Sequence, residues 1–264
     1  MPYTNSSGAK IWWEEEGRGE PLLLIMGTGY TLETWHRVRP LLAERHRLIL
    51  FDNRGVGRSE VPEGPYEIGQ MAADAVAVLN AAGARVSHVV GAWLGGAIAQ
   101  ELALAYPERI RSLVLVGTSA FRHSVDPEPA ALEMVARRAS MTREDGVRAA
   151  IPFTYDPSTP QDHIEEDLAI RMQTYPTPAG YVGQLKAAAA YESRSRLGAV
   201  RAPTLVIHGE SDRLVPAANG QDLARLIPGA QFELVSGASH NLFTDKPDET
   251  VGLILSFLGG IRSR

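Results

Sequence analysis

Short runs rich in Val, Ile and Leu alternate with helical patterns along most of the chain, and this alternation limits the fold most strongly. A hairpin is predicted first, from "AKIWWEEEG" and "EPLLLIMG". The buried strands predicted after it are "HRLILFD", "VSHVVG", "SLVLVGTS", "PTLVIHGE" and "AQFELVSG". Strands separated by helices pair in a mostly parallel sheet with helices on both faces. The sequence therefore predicts an α/β fold.

One section of the chain, from about residue 121 to residue 198, lacks a strand pattern. It contains Ala-, Glu- and Arg-rich helical stretches that are interrupted by "DPEP", "IPFTYDPSTPQD" and "TYPTPAG". Because this section lies between two predicted strands, we interpret it as a helical lid over the carboxyl edge of the sheet. The predicted domains are a core, residues 1–120 and 199–264, and a lid, residues 121–198.

Composition and charge exclude several classes of function. The chain has no cysteine, which excludes disulfides, thiol catalysis and cysteine-bound metals. The net charge of −5 and the scattered basic residues argue against a nucleic-acid partner, and "RRASMTRED" is interpreted as a solvated helix face. No apolar run approaches the roughly 20 residues that span a bilayer. Because a signal-peptide pattern is also missing, we expect a soluble cytoplasmic protein with no membrane partner.

No pattern in the sequence indicates a metal or a nucleotide cofactor. There is no HExxH motif and no EF-hand loop, and "RGVGRSE" lacks the strand and helix that a dinucleotide-binding loop requires. We therefore expect neither metal nor cofactor. The sequence leaves the choice between a monomer and a homodimer open.

The stretch "VVGAWLGGAIAQ" predicts a sharp turn between a strand and a helix. Gly91 and Gly95 flank Trp93 by two positions on each side. This spacing suits a strained turn that pushes its central residue outward, and it is the spacing of a nucleophile elbow. An ordinary glycine-rich connection between a strand and a helix is the alternative. An indole nitrogen only donates hydrogen bonds, so Trp93 offers no nucleophile.

An acid and a histidine follow two later predicted strands. Asp212 comes just after "PTLVIHGE", and His240 follows "AQFELVSG". A carboxylate can orient an imidazole and stabilise its charged form, which makes His240 a candidate general base. The remaining histidines lack this setting and are interpreted as surface, lid or structural residues: His36, His46, His88, His123, His163 and His208.

The order of elbow, acid and histidine resembles that of the α/β-hydrolase superfamily, in particular its small soluble members with a lid. "LLLIMGTGYTLETW" resembles the oxyanion loop of that family and "LILFDNRGVGRSE" the turn after the next strand. The resemblance implies an eight-stranded, mostly parallel sheet and an oxyanion hole made by backbone N–H groups of Leu94 and of Thr28 or Gly29. Trp93 stands where the family has its nucleophile, usually serine.

The sequence leads us to expect non-hydrolytic acid–base chemistry. An Asp212–His240 pair facing an oxyanion hole suits a lyase, a cyclase or an enzyme that forms C–C bonds, acting on a carbonyl compound, with secondary metabolism as the suggested context. In this hypothesis Trp93 is an aromatic wall on which the substrate stacks. One alternative is an ester or lactone hydrolase that uses water activated by His240, or Ser119 as a displaced nucleophile. The other is a pseudoenzyme that binds a ligand.

Aromatic residues of the predicted lid suggest the chemistry of the substrate. We expect these side chains to line a hydrophobic chamber above Trp93: Phe121, Phe153, Tyr155, Tyr175, Tyr181 and Tyr191. Such a chamber favours a small apolar substrate, in keeping with ligand pockets in general. The expected partner is therefore a small hydrophobic molecule that carries an aromatic group.

Overall fold

The sheet of the protein has eight strands. A computed structural model describes residues 2–121 and 125–261, so His123 lies outside the described residues. The strands are β1 (Tyr3–Ser6), β2 (Ala9–Glu16), β3 (Glu20–Ile25), β4 (His46–Phe51), β5 (Ser87–Ala92), β6 (Ile110–Val116), β7 (Thr204–Gly209) and β8 (Gln231–Val235). Their order in the sheet is β1-β2-β4-β3-β5-β6-β7-β8. β2 pairs antiparallel with β1 and β4, and the other pairs are parallel. The predicted fold class is confirmed, but the predicted first hairpin of β2 and β3 is wrong, because β4 lies between these two strands.

In the residues that the structure describes, eleven α-helices surround the sheet. They are α1 (Arg39–Ala43), α2 (Ile68–Ala81), α3 (Leu94–Ala105), α4 (Pro129–Arg137), α5 (Arg143–Arg148), α6 (Ile151–Thr154), α7 (Gln161–Gln173), α8 (Pro178–Ala190), α9 (Ala217–Leu226), α10 (Leu242–Asp245) and α11 (Pro247–Gly259). Among the residues that the structure describes, no helix is long and apolar enough to cross a membrane.

Hydrophobic packing covers both faces of the sheet. Successive side chains of a strand point to opposite faces, and β3 illustrates the result. Leu23 belongs to the apolar cluster that also holds residues of α2 and α3, whereas Leu24 belongs to the cluster with residues of α1 and α11. The sheet is thus fixed by helices on both sides, so the loops at its carboxyl edge start from a rigid support.

The chain between β6 and β7 is helical. It contains α4 to α8, and in its described part it adds only an isolated bridge between Phe121 and Glu192. Gln184 of α8 joins this segment to the sheet, because its buried amide accepts a hydrogen bond from Gly29 N and donates one to Arg54 O, each at 2.8 Å. The boundaries of the lid at residues 121 and 198 stay a prediction.

Candidate active site

The turn between β5 and α3 is strained at its centre. Trp93 has a φ of 56° and a ψ of −116°, a left-handed conformation that residues other than glycine rarely adopt. A Cβ on Gly91 would lie 2.3 Å from Gly95 O, and a Cβ on Gly95 would lie 2.0 Å from Ile25 O. The two glycines therefore allow the helix to start against the sheet, with Trp93 held at the top of the turn.

The indole of Trp93 is buried against the imidazole of His240. The two rings are stacked with centroids 4.9 Å apart and an interplanar angle of 17°, and Trp93 Nε1 donates a hydrogen bond to His240 O at 3.0 Å. The indole fits because its neighbours lack side chains: a Cβ on Gly27 would lie 2.3 Å from its Cε3, and one on Gly117 would lie 3.1 Å from its Cδ1. Trp93 therefore fixes the histidine loop.

The structure brings Asp212 and His240 together. His240 Nδ1 lies 2.8 Å from Asp212 Oδ2, while Asp212 Oδ1 accepts hydrogen bonds from the backbone N–H groups of Leu214 and Val215 at 2.9 and 2.7 Å. Burial alone would raise the pKa of Asp212, but the neighbouring His240 and a contact with His208 outweigh burial and hold that pKa below its usual range. An ionised Asp212 that accepts from Nδ1 leaves Nε2 of His240 free to take a proton.

A second carboxylate, Asp245, anchors the loop that carries His240. Asp245 Oδ2 accepts a hydrogen bond from Ser239 N at 2.7 Å, and its Oδ1 accepts one from Thr159 Oγ1 at 2.6 Å. Burial raises the pKa of Asp245 to about 6, despite these hydrogen bonds, which lower it. No local sequence pattern indicates this role of Asp245, because its partner Thr159 lies far away along the chain, in the helical segment.

A cavity of about 480 Å³ lies above the elbow turn and the histidine loop. Seven of the predicted site residues line it: Thr28, Trp93, Leu94, Ser119, Phe121, Tyr181 and His240. Apolar side chains form most of the remaining wall, including Leu132, Met134, Leu185, Ala188 and Leu214. The cavity therefore presents a candidate base and backbone N–H groups to a largely apolar ligand.

The predicted aromatic lining is only partly correct. Phe121 and Tyr181 line the cavity. Phe153 does not, because it packs beneath the guanidinium of Arg213, 4.8 Å from the ring centroid. Tyr155 instead lines a separate, water-sized chamber of about 20 Å³, where its hydroxyl donates to Asp167 at 3.0 Å. The helical segment turns these two rings away from the cavity, which their spacing in the sequence did not reveal.

Two of the three predicted oxyanion donors are available. The N–H groups of Leu94 and Thr28 have no acceptor within the described part of the chain, and both residues line the cavity. Gly29 differs, because its N–H donates to Gln184 Oε1 at 2.8 Å. We therefore remove Gly29 from the predicted oxyanion hole and retain Leu94 and Thr28 as candidates.

Ser119 also lines the cavity but is not hydrogen-bonded to the histidine. Its Oγ accepts a hydrogen bond from Phe121 N at 3.1 Å, as expected for a serine in a turn. Within residues 2–121 and 125–261, no hydrogen bond joins Ser119 to His240. In this conformation, Ser119 lacks the activated hydroxyl that a nucleophilic serine requires.

Arg138 lines the cavity, although it was predicted to face solvent. The interpretation of "RRASMTRED" as a solvated face holds for Arg137, which is exposed and pairs with Glu133. It is wrong for Arg138, whose side chain lines the cavity. The reason is local, since α4 ends at Arg137 and a 3₁₀ turn begins at Arg138 and redirects the chain.

Comparison with known proteins gives consistent matches. A family model described as "alpha/beta hydrolase fold" matches residues 20–247. A protein of Azorhizobium caulinodans named "Putative carbamate hydrolase RutD" is 35% identical over 99% of both chains. A pimeloyl-[acyl-carrier protein] methyl ester esterase of Aeromonas hydrophila is 30% identical over 93% of this chain and 98% of its own. The crystal structure of a hydrolase from Pseudomonas aeruginosa PA01 has a TM-score of 0.83 and 31% identity, covering 98% of each chain.

These comparisons correct the expected reaction. The sequence led us to expect non-hydrolytic chemistry, and that prediction is wrong, because the similar proteins are named hydrolases. The error lay in the assumption that an indole at position 93 rules out hydrolysis. A histidine that is oriented by an aspartate can also activate water.

Proposed function

The chain belongs to the α/β-hydrolase family, and from that premise we propose that it hydrolyses a carboxylic ester or lactone with water as the nucleophile and His240 as the general base. The observation that carries the proposal is the Asp212–His240 pair, in which His240 Nδ1 lies 2.8 Å from Asp212 Oδ2 and the imidazole lines the cavity beside Trp93. The names of the similar proteins support the class of reaction, since one is a methyl ester esterase.

Trp93 occupies the place of the nucleophile in this proposal. It lies at the strained centre of the turn between β5 and α3. The only hydrogen-bonding group of its side chain, Nε1, already donates to His240 O. An acyl-enzyme at this residue is therefore excluded by chemistry, because an indole N–H is a donor only. Since Ser119 has no hydrogen bond with His240 in the described part of the chain, the attacking oxygen in this proposal comes from water.

Each step of the proposed reaction uses a group that borders the cavity. His240 Nε2 removes a proton from water while the water oxygen attacks the ester carbonyl carbon. The carbonyl oxygen becomes an oxyanion, which accepts hydrogen bonds from the N–H groups of Leu94 and Thr28. When the intermediate collapses, the ester C–O bond breaks and the imidazolium returns the proton to the leaving alkoxide. The products are a carboxylic acid and an alcohol, or one hydroxy acid from a lactone.

The stacked indole assists the base in this mechanism. Asp212 stabilises the imidazolium through Nδ1, and the face of Trp93 adds a favourable contact with the same cation. A cation over an indole face is worth about 0.5–2 kcal/mol, depending on its desolvation. Trp93 thereby supports proton transfer although it supplies no nucleophile.

The test is acid release from a panel of uncharged esters and lactones. We expect saturable hydrolysis of 4-nitrophenyl butyrate or of δ-valerolactone, followed in a pH-stat, and its loss in His240→Asn purified in the same way. The variant controls for contaminating esterases. Absence of hydrolysis across the panel, or equal hydrolysis by wild type and variant, would refute the proposed function.

A further inference from the structure

The cavity has a single permanently charged side chain in the part of its wall that the structure describes. Arg138 provides it, and the other lining residues are apolar or uncharged apart from His240, which titrates. No Asp, Glu or Lys belongs to that lining. A lone guanidinium in an otherwise apolar cavity therefore requires an explanation, because burying a charge is costly unless it is paired.

The guanidinium of Arg138 has no carboxylate partner within residues 2–121 and 125–261. No ion pair involves it, and its Nε is buried without a hydrogen bond. Its neighbours are phenols: it lies over the ring of Tyr181, 5.5 Å from the centroid, and contacts the hydroxyl of Tyr175. Burial lowers the pKa of Arg138 and these phenols raise it, so that the pKa lies above its ordinary value. A neutral phenol nevertheless carries no negative charge that would balance the guanidinium.

A second arginine increases the positive potential at this end of the cavity. Arg171 lies over the ring of Tyr30, 3.5 Å from its centroid, and Tyr30 lines the cavity on its other side. Arg171 is only 5% exposed, its Nη2 has no hydrogen-bond partner, and no ion pair to it is formed in the described chain. Burial and the neighbouring charge of Arg138 both lower the pKa of Arg171.

The nearest acid on the same helix, Asp167, is occupied by other partners. Asp167 shares the small chamber with Arg171. Its Oδ2 accepts hydrogen bonds from Tyr155 at 3.0 Å and Thr244 at 2.5 Å, and its Oδ1 lies 3.4 Å from the guanidinium of Arg37. His36 Nε2 lies at the same distance of 3.4 Å from Oδ1. Asp167 thus has other partners and forms no ion pair with Arg171 in the described part of the chain.

We propose that the substrate carries a carboxylate that binds Arg138, so that the enzyme acts on an ester or lactone with a free acid group. This inference rests on the proposed function for its scissile bond, whereas the binding of a carboxylate can be tested by itself. The planar fork of a guanidinium matches a carboxylate with two parallel hydrogen bonds. A substrate held in this way joins the helical segment, through Arg138, to the core, through His240.

The first experiment measures binding without any reaction. Isothermal titration calorimetry compares heptanoate with heptanamide, which has the same shape but no charge. We expect wild type to bind heptanoate about tenfold more tightly, in line with a charge-assisted pair, and Arg138→Met to lose this preference. Arg137→Met is the matched control: it removes the neighbouring guanidinium, which points to solvent, and should keep the preference.

The second experiment measures selectivity in turnover. The ratio of kcat/KM for mono-4-nitrophenyl glutarate over 4-nitrophenyl butyrate should exceed about ten in wild type and in Arg137→Met, and should fall to near one in Arg138→Met. Both esters release the same leaving group, so the ratio reports recognition of the carboxylate. Hydrolysis of both esters without selectivity would refute the inference and leave the proposed function intact.

The outcomes of the binding experiment are equally decisive. Equal affinity for heptanoate and heptanamide, no binding of heptanoate, or a preference that survives in Arg138→Met would each overturn the inference. If neither ester is hydrolysed but heptanoate still binds through Arg138, the proposed reaction fails and the carboxylate site stands. Should Arg138→Met fail to fold, Arg138→Gln removes the charge while keeping a planar polar end, and we expect the same loss.

Discussion

Two parts of the same sheet edge differ in what they offer to a reaction. The loops after β7 and β8 hold a hydrogen-bonded carboxylate–imidazole pair, with Asp212 bound by backbone N–H groups and by His240. The turn after β5 has the backbone strain of an elbow, yet it presents an indole. The difference shows that the geometry for positioning a nucleophile and the chemistry of the nucleophile are separate properties of the chain.

The indole of Trp93 makes specific contacts with the histidine loop and with two glycines. Trp93 donates to His240 O and stacks on the imidazole, and its volume is accommodated by Gly27 and Gly117. The elbow turn and the histidine loop therefore support each other directly. Substitutions in the elbow turn and in the histidine loop can show how far the two regions act independently.

Loss of the base should have the largest effect. His240→Asn places an amide N–H near the position of Nδ1, so Asp212 keeps a donor, but the variant has no Nε2. We expect kcat/KM to fall at least about 10³-fold, as general-base catalysis accounts for about 10²–10⁴-fold. His163→Asn on α7 is the control and should react like wild type. A loss of less than tenfold in the His240 variant would contradict the role of base.

Removal of the negative charge from the pair should have the next largest effect. Asp212→Asn keeps the shape and an oxygen for the N–H groups of Leu214 and Val215, but it no longer stabilises the imidazolium. We expect kcat/KM to fall about 10²-fold with little change in KM, because the charge acts as the proton is transferred. Steady-state kinetics measure both constants, and a pure KM effect would show that Asp212 only shapes the cavity.

A serine at position 93 should give the elbow turn a nucleophile, next to the imidazole of the histidine loop. Trp93→Ser removes a buried indole, which should cost about 3–5 kcal/mol of the free energy of unfolding, and it places a hydroxyl beside His240. We expect a serine-directed fluorophosphonate to label this variant and to leave wild type unlabelled. Intact-protein mass spectrometry reads the label. Labelling of wild type at Ser119 would show that a nucleophilic serine is already present.

Asp245 should make the stability of the histidine loop depend on pH. Its pKa is raised to about 6 in the folded protein, above the ordinary value of about 3.9. The folded state therefore binds the proton more tightly, and stability falls as the pH rises from about 4 to about 6. In Asp245→Asn this fall should shrink by about 1–3 kcal/mol. Urea unfolding of both proteins across that range measures the difference, and identical pH profiles would contradict it.

Ser119 should contribute least to the rate of hydrolysis. Its hydroxyl has a hydrogen bond with Phe121 N and none with His240, so Ser119→Ala should change kcat by no more than about twofold, within the small effect of one neutral hydrogen bond. Initial rates with 4-nitrophenyl butyrate are sufficient. A hundredfold loss would transfer the nucleophilic role from water to this serine.

Local patterns in the sequence predicted seven of the eight strands and brought Asp212 and His240 to one edge, but they missed β1 and wrongly paired β2 with β3. Runs of Val, Ile and Leu determine strands, and residues that follow parallel strands meet at one edge. The elbow could be predicted equally well, because positions 91 and 95 lie where a Cβ would strike backbone atoms, so glycine is required at both. In each case the information is contained within a few neighbouring residues.

Those local patterns could not predict how distant segments of the chain pack against each other. Gly29 loses its free N–H to Gln184, which is 155 residues away in the chain. Arg138 enters the cavity because a helix ends one residue earlier, while Phe153 and Tyr155 are turned to other partners. Side-chain directions in the helical segment depend on its tertiary contacts, which no spacing rule encodes.

The central claim is that water, and no residue of the protein, attacks the ester. Intact-protein mass spectrometry of enzyme quenched within milliseconds during turnover of 4-nitrophenyl butyrate tests it most directly. We expect release of nitrophenol with the protein mass unchanged at every time point. A butyryl adduct on the protein, at Ser119 or at any other residue, would contradict it.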